Sequence, residues 1–398
     1  IALDDKSYAS AQKLMNSGVI DNGFFTMFLV LFVVAVGLLA SKDLNIVIRK
    51  YGAKFVILGL MITFVGAATT YCMTLLMKSA NPYEVSGVYT GALTSSPGLA
   101  AAIETANVQA AKRIEGYDSC DINEKAKILS IIDKNLDPSM ASALTEEQKA
   151  QFVANAVAGV GSGYAIAYAF GVIIVIFSVT FFPLIFRINL ENEKKAFDRE
   201  MSEARASYAG KEIKEVDFDL IGFIVACLFG YTIGLVNIKL GAAGFKDFSL
   251  SATGGALIGS LILGYVGKIG FINFRMNSKI LGVIRQVSLA FFLAIVGLKN
   301  GYKVFDALAA SGAYLVLVSL VVGFASIMAG YIVGRYIFKI NWIMLSGAIC
   351  GGMTSTPGLG AAIDAVGSDD PAAGYGAAYP FALLGMVLFT IILYVLPM

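Results

Sequence analysis

The sequence predicts an all-α polytopic membrane protein made of two inverted-topology repeats, each carrying a re-entrant helical hairpin. Three observations carry that prediction. The 398 residues are 57% apolar and only 15% charged, mean hydropathy is +0.75, and several runs exceed the roughly 18 apolar residues that mark a membrane span. A polar phrase is written twice, SGVYTGALTSSPGLAAAI from Ser86 and SGAICGGMTSTPGLGAAI from Ser346, with 11 of 18 positions identical. Lys and Arg gather in the loops that such a repeat places on one side of the membrane.

Hydropathy gives eight spans: Phe24–Ala40, Tyr51–Met77, Gly163–Phe186, Phe218–Ile238, Ala252–Ile272, Leu281–Leu298, Ala307–Phe338 and Ala373–Met398. Two polar stretches interrupt them. Residues 104–159 carry many charges, and Thr145-Glu146-Glu147-Gln148 is a capping-box signature that predicts the start of a short helix. Residues 187–217 form a charged linker, helical at its start.

The repeat extends well beyond the phrase. At an offset of 260, Val36-Gly37-Leu38 recurs as Val296-Gly297-Leu298, Gly52 as Gly312, Phe64 as Phe324 and Tyr71 as Tyr331. After the phrase the offset falls to 211, where GYAIAYAF from Gly163 matches GYGAAYPF from Gly374. The difference of 49 is an insertion in the first copy. The domains are therefore a first repeat over 1–186 with its hairpin at 84–104 and a helical insertion at 104–159, a linker at 187–217, and a second repeat over 218–398 with its hairpin at 344–364. Counterparts of the two helices that open the second repeat would fall before residue 1. Either the first repeat is shorter, or, the preferred reading, about two helices precede Ile1.

Orientation follows from the basic loops. Lys42, Arg49, Lys50 and Lys54 mark the loop after the first span as cytoplasmic, and Lys268, Arg275, Lys279, Arg285, Arg335 and Lys339 fall on the same side. This holds only if each phrase enters and leaves the membrane on one face. The insertion and the C-terminus then lie outside and the linker inside. The first hairpin dips from outside, the second from the cytoplasm.

Gly and Pro inside a membrane free backbone groups that protein or water must satisfy. The phrase therefore reads as two half-helices joined by a tip. The first copy enters over Val85–Ala92, turns at Thr94–Pro97 and departs from Gly98. The second turns at Thr354–Pro357 and departs from Gly358. Pro97 and Pro357 suit the first turn of a helix, and Ser95, Ser96, Ser355 and Thr356 suit its N-cap. Free N–H groups and the positive helix end would make each tip a site for a carboxylate or other anion. Two tips meeting from opposite faces would form one substrate site, with Gly91, Thr94, Ser95, Ser96, Pro97 and Gly98 from one hairpin and Gly351, Thr354, Ser355, Thr356, Pro357 and Gly358 from the other. The competing reading is that these small residues only permit close packing or a kink.

Tyr164, Tyr168, Tyr375 and Tyr379 recur one turn apart on equivalent helices, and Tyr168 and Tyr379 are added to the site; anchoring or core packing is the competing reading. Arg285 and Gln286 open a span and offer either a cation to an anionic substrate or a cytoplasmic anchor. Glu104 and Asp364 end the two phrases symmetrically. No intramembrane carboxylate pair stands out as a proton or sodium site.

The chain has no His, and its four cysteines are scattered without metal spacing. Neither a nucleophile–base pair nor a basic aromatic patch is visible. The expectations are no enzyme activity, no metal, no cofactor and no nucleic acid.

Both TxxPGL phrases (Thr94–Leu99 and Thr354–Leu359), GSGYAIAYAF from Gly161, and the duplicated plan resemble the aspartate–alanine exchanger family of bacterial secondary transporters. The resemblance covers most of the chain outside the insertion and linker. It implies exchange of small amino or dicarboxylic acids across the inner membrane, an elevator-type transporter architecture and a homodimer in lipid. The alternative within transport is a sodium- or proton-coupled carboxylate symporter; a different class is a channel, with the tips as a fixed constriction, and a third is a sensor whose outer insertion binds a partner. Many members carry regulatory domains between the halves; here residues 187–217 are too short for one.

Overall fold

The computed structural model describes residues 22–42, 44–76, 81–132, 144–206, 215–236, 251–309 and 313–396. Fourteen α-helices dominate the described residues: α1 (Asn22–Ala40), α2 (Leu44–Leu76), α3 (Pro82–Ala92), α4 (Ser96–Glu115), α5 (Ile122–Ile132), α6 (Glu146–Ile185), α7 (Leu190–Ala206), α8 (Leu220–Leu235), α9 (Ser251–Val266), α10 (Ser278–Ala309), α11 (Ala313–Ile332), α12 (Trp342–Gly352), α13 (Thr356–Val366) and α14 (Pro371–Val395). Among the described residues four helical stretches are long and apolar enough to cross a membrane: Tyr51–Leu76, Glu146–Ile185, Ala313–Ile337 and Pro371–Tyr394. Three more of the eight expected spans fall on shorter apolar helices, Thr26–Leu39, Leu220–Leu235 and Gly254–Val266.

Several boundaries differ from expectation, two of them for plain local reasons. The capping box does form, with Thr145 Oγ1 accepting from Gln148 N at 3.2 Å and Gln148 Oε1 accepting from Thr145 N at 3.0 Å. It opens no short helix, however. Nothing between Gln148 and Gly163 breaks the chain, so α6 runs 40 residues into the membrane span. In contrast, the span expected over Ala252–Ile272 stops at Val266. Gly267 and Gly270 adopt positive φ, which suits glycine, and the chain folds into an antiparallel pair, β1 (Lys268–Ile269) with β2 (Ile272–Asn273). The hairpin arms α4 and α13 start two residues before Gly98 and Gly358.

Two bundles make up the main body. In one, α3 packs along α6, α12 along α14, and α2 lies against both α14 and α11. In the other, α1 sits between α9 and α10, with α8 on α9. A separate buried cluster, including Tyr83, Ala106, Ile114, Leu129 and Phe152, joins α3 to the insertion formed by α4, α5 and the start of α6. The linker helix α7 docks on the first bundle. Glu193 takes a bidentate pair from Arg335 (3.1 and 2.7 Å) and the Trp342 N–H at 2.8 Å, at the start of α12.

Candidate functional site

The two arms α3 and α12 hold their polar phrases in place through glycine. A Cβ on Gly87 would stand 2.1 Å from the Val160 carbonyl oxygen, and one on Gly347 1.7 Å from that of Pro371. Likewise a Cβ on Gly91 would stand 2.7 Å from the Tyr164 carbonyl oxygen, and one on Gly351 2.6 Å from that of Tyr375. Each partner in the second half lies 260 or 211 residues after its counterpart. Backbone therefore touches backbone, and only hydrogen fits between.

The tips match bond for bond. Asn81 and Asn341 cap α3 and α12, accepting from Tyr83 N at 3.0 Å and Ile343 N at 2.9 Å. Thr94 N donates to Gly91 O and Ser95 N to Thr90 O; Thr354 N donates to Gly351 O and Ser355 N to Cys350 O. Ser95 Oγ then accepts from Gly98 N at 3.1 Å, and Ser355 Oγ from Gly358 N at 3.2 Å, so both serines are the N-caps of the departing arms. Thr94 and Thr354 sit at φ 54° and 49°. That left-handed geometry costs a β-branched residue about 1–2 kcal/mol.

What holds the threonines there is the opposite hairpin. Thr94 Oγ1 donates to the Met353 carbonyl at 3.2 Å, and Thr354 Oγ1 donates to the Leu93 carbonyl at 3.0 Å. Leu93 and Met353 are themselves 260 residues apart, so the two bonds are reciprocal. The same reciprocity appears one step deeper: Gly98 packs on Met386 and Gly358 on Val175, and those partners are 211 apart. The hydroxyls, the caps and the first-turn prolines leave few donors at each departing arm. Pro97 and Pro357 have no N–H, and Leu99 N and Leu359 N bond back to the serine carbonyls. Among the described residues the Thr356 N–H has no partner. Its counterpart is the N–H of Ser96, at the start of α4; the side chains of Ser96, Pro97 and Glu104 lie outside the described residues.

Tyr168 and Tyr379 are both buried, each packed on the tyrosine one turn earlier, with ring centroids 5.4 Å (Tyr164–Tyr168) and 5.2 Å (Tyr375–Tyr379) apart. The tyrosine within reach of a tip hydroxyl is Tyr375, whose Oη lies 3.4 Å from Thr356 Oγ1. The main-chain acceptors Leu93 and Met353 escape sequence reasoning, because a carbonyl leaves no side-chain signature. Arg285 and Gln286 part company: Gln286 is exposed, whereas Arg285 is 6% exposed and turned toward Asp364 and Asp369.

An uncharacterized transporter of Bacteroides thetaiotaomicron is 36% identical over 181 residues, 45% of this chain and 33% of that protein. One from Rhodopirellula baltica is 34% identical over 166 residues, covering 42% and 30%, and one from Geobacter sulfurreducens is 30% identical over 194 residues, covering 48% and 35%. The match thus spans about a third of the length of these curated relatives. No solved structure matches. The family described as "Predicted Permease Membrane Region" (Asp-Al_Ex) matches residues 8–184 and 222–395. With both halves matched and most of its residues covered, the chain belongs to that family.

Proposed function

We propose that this chain is the membrane-spanning part of a secondary active transporter that exchanges or exports a small carboxylate or amino acid. The substrate is of the aspartate, alanine or dicarboxylate class, moved across the bacterial inner membrane by alternating access. The observation that carries the reading is the reciprocal bond pair between the tips. Separating them frees two hydroxyl donors, on Thr94 and Thr354, and two carbonyl acceptors, on Leu93 and Met353. The hydroxyls, the first amides of α4 and α13 and the positive helix ends suit a carboxylate. The carbonyls suit an ammonium group. A zwitterionic amino acid presents both. With no substrate bound, the same groups satisfy one another, so neither state leaves them buried and unpaired.

Reciprocal contacts are the pattern of a two-fold relation. Combined with the loop charges, they support inverted-topology repeats whose hairpins enter from opposite faces, with the linker cytoplasmic and the insertion and C-terminus outside. In the cycle the hairpin bundle slides against α1 and α8–α10, elevator fashion, within a homodimer. Counterflow in liposomes with labelled aspartate, alanine, glutamate and succinate tests the reading. Saturable uptake that requires internal substrate is expected. Uptake that ignores internal substrate overturns exchange in favour of a channel or uniporter.

A further inference from the structure

The exit of the second hairpin carries a charge cluster that no transport step above uses. Arg285 projects from α10, in the peripheral bundle, toward the C-terminal end of α13 and the turn before α14. Its Nε lies 3.0 Å from Asp369 Oδ1, and its Nη1 3.8 Å from Asp364 Oδ1. These ion pairs run from one bundle to the other. The pairing is close but poorly aimed. Arg285 Nε, Arg285 Nη1 and Asp369 Oδ1 are all buried, and none makes a hydrogen bond. One turn along α10, Leu289 packs against Gly360 of α13, so the cluster sits on the seam where the bundles touch.

We propose that Asp369 is a proton-binding site, and that taking up a proton releases the Arg285 clasp between α10 and the second hairpin. A buried carboxylate oxygen that accepts no hydrogen bond gains from becoming a carboxylic acid, because desolvation disfavours its charge. The proton comes from cytoplasmic water and stays on the carboxyl; Arg285 keeps only its longer contact with the exposed Asp364. Other charges face the site from every neighbouring element. Arg285 (α10) and Lys42 (after α1) favour the carboxylate, Asp364 (α13) opposes it, and burial outweighs them, holding Asp369 above the usual carboxylate range. Asp370, in the same turn, accepts from Ser368 Oγ at 2.7 Å. Lys42 is itself committed to Glu215 and Ser278, at 2.6 and 2.9 Å.

The clasp is one-sided. The first-repeat counterparts of Arg285 and Asp369 are Phe25 and Ala158, so only the second hairpin carries it. This asymmetry gives the site a direction. A proton arriving from the cytoplasm would loosen one gate and leave the other untouched.

Thermal unfolding of the purified full chain, in nanodiscs from pH 4 to pH 8, tests proton binding without substrate. A group whose folded pKa is raised contributes stability below its unfolded pKa and loses it as pH rises through the folded value. The melting temperature of wild type minus that of Asp369→Asn should therefore fall with rising pH. Arg285→Gln should move that fall to higher pH, because the guanidinium opposes protonation, and Asp364→Asn should move it lower. An ordinary stabilising ion pair gives the opposite slope, a difference that rises with pH, and that result overturns the site. Whether the proton is coupled to transport rests on the proposed transport function. Counterflow by wild type should change with pH on the cytoplasmic face while Asp369→Asn does not. Equal pH profiles would overturn the coupling and leave the exchanger reading standing.

Discussion

Replacing Thr94 or Thr354 with valine removes one hydroxyl and keeps the volume and β-branch. The bond lost from each tip is buried and neutral, worth about 0.5–1.5 kcal/mol net, and the stranded carbonyl of Met353 or Leu93 adds about 1–3 kcal/mol of unmet desolvation. Left-handed strain is unchanged, since valine suffers it as threonine does. Each single variant should therefore lose about 1–3 kcal/mol, read as a lower melting temperature in detergent. Serine keeps the hydroxyl and sheds the branch, so Thr94→Ser should melt near wild type. The two bonds close the same contact, so the double variant should lose less than the sum, with a coupling of about 0.5–3 kcal/mol. On the proposed function, in which the tip hydroxyls meet the substrate carboxylate, transport gives a second readout. A hydroxyl bonded to a charged carboxylate is worth about 1.5–3 kcal/mol, hence roughly a 10- to 150-fold weaker apparent affinity in each valine variant. Valine variants that melt like wild type would refute the tip contact. Variants that melt lower but transport with unchanged affinity would confine the hydroxyls to a structural role.

Gly347→Ala places a methyl where Pro371's carbonyl oxygen stands; two backbones must part, costing about 1–3 kcal/mol or more, and folded yield in membranes should fall sharply. Glu193→Gln weakens the charged clamp on Arg335 and the α12 N-terminus at a cost of about 1–3 kcal/mol. Trp342, the single tryptophan, reports it directly through its fluorescence, and an unchanged spectrum and melting curve would refute the clamp. Asp219 caps α8 and also accepts from Asn273 N at 2.8 Å, bonds that hold its carboxyl below the usual range. Its stabilising contribution is present above the ordinary carboxylate pKa and fades as pH drops through the lowered one. The wild-type minus Asp219→Asn difference in melting temperature should thus rise with pH, opposite in sign to that of Asp369.

The hairpins were legible because their signal is local. Pro at the second helical position, Ser at the cap and Gly at close approaches each have one physical cause, and the duplicated phrase repeats all three. The arm α3 and its counterpart α12 even share a length of 11 residues and an Asn cap. What the sequence hid is relational. The cross-bonds run from a side chain to a main-chain carbonyl 259 or 261 residues away, a pairing that composition cannot announce. Asp369 is hidden for a similar reason: it lies in a turn, five residues past the phrase, and becomes significant only once α10 brings Arg285 beside it. The length of α6 was obscured by glycines at 159, 161 and 163. A small side chain there does not end the helix, and Gly163 is a packing position, where an added Cβ would stand 2.0 Å from the Glu84 carbonyl oxygen.

Duplication alone would make a poor pump. If the two hairpins were identical in every contact, the packing that closes one gate would equal the packing that closes the other, and no ion would prefer either state. A ligand shifts such an equilibrium only by its difference in affinity between the states. The tips here are matched bond for bond, so on the proposed function the groups that meet the substrate are common to both gates. Around them the matches stop. The second hairpin is clamped by Glu193 at its start and by Arg285 at its exit. The first is instead backed by the insertion, through Tyr83 against Phe152. On the transport reading, the symmetric tips choose the substrate and the asymmetric flanks set which gate opens more readily. Arg285→Gln and Glu193→Gln should accordingly shift the balance of inward and outward states while leaving substrate selectivity unchanged. A change in the order of substrate preference in either variant would refute this division of labour.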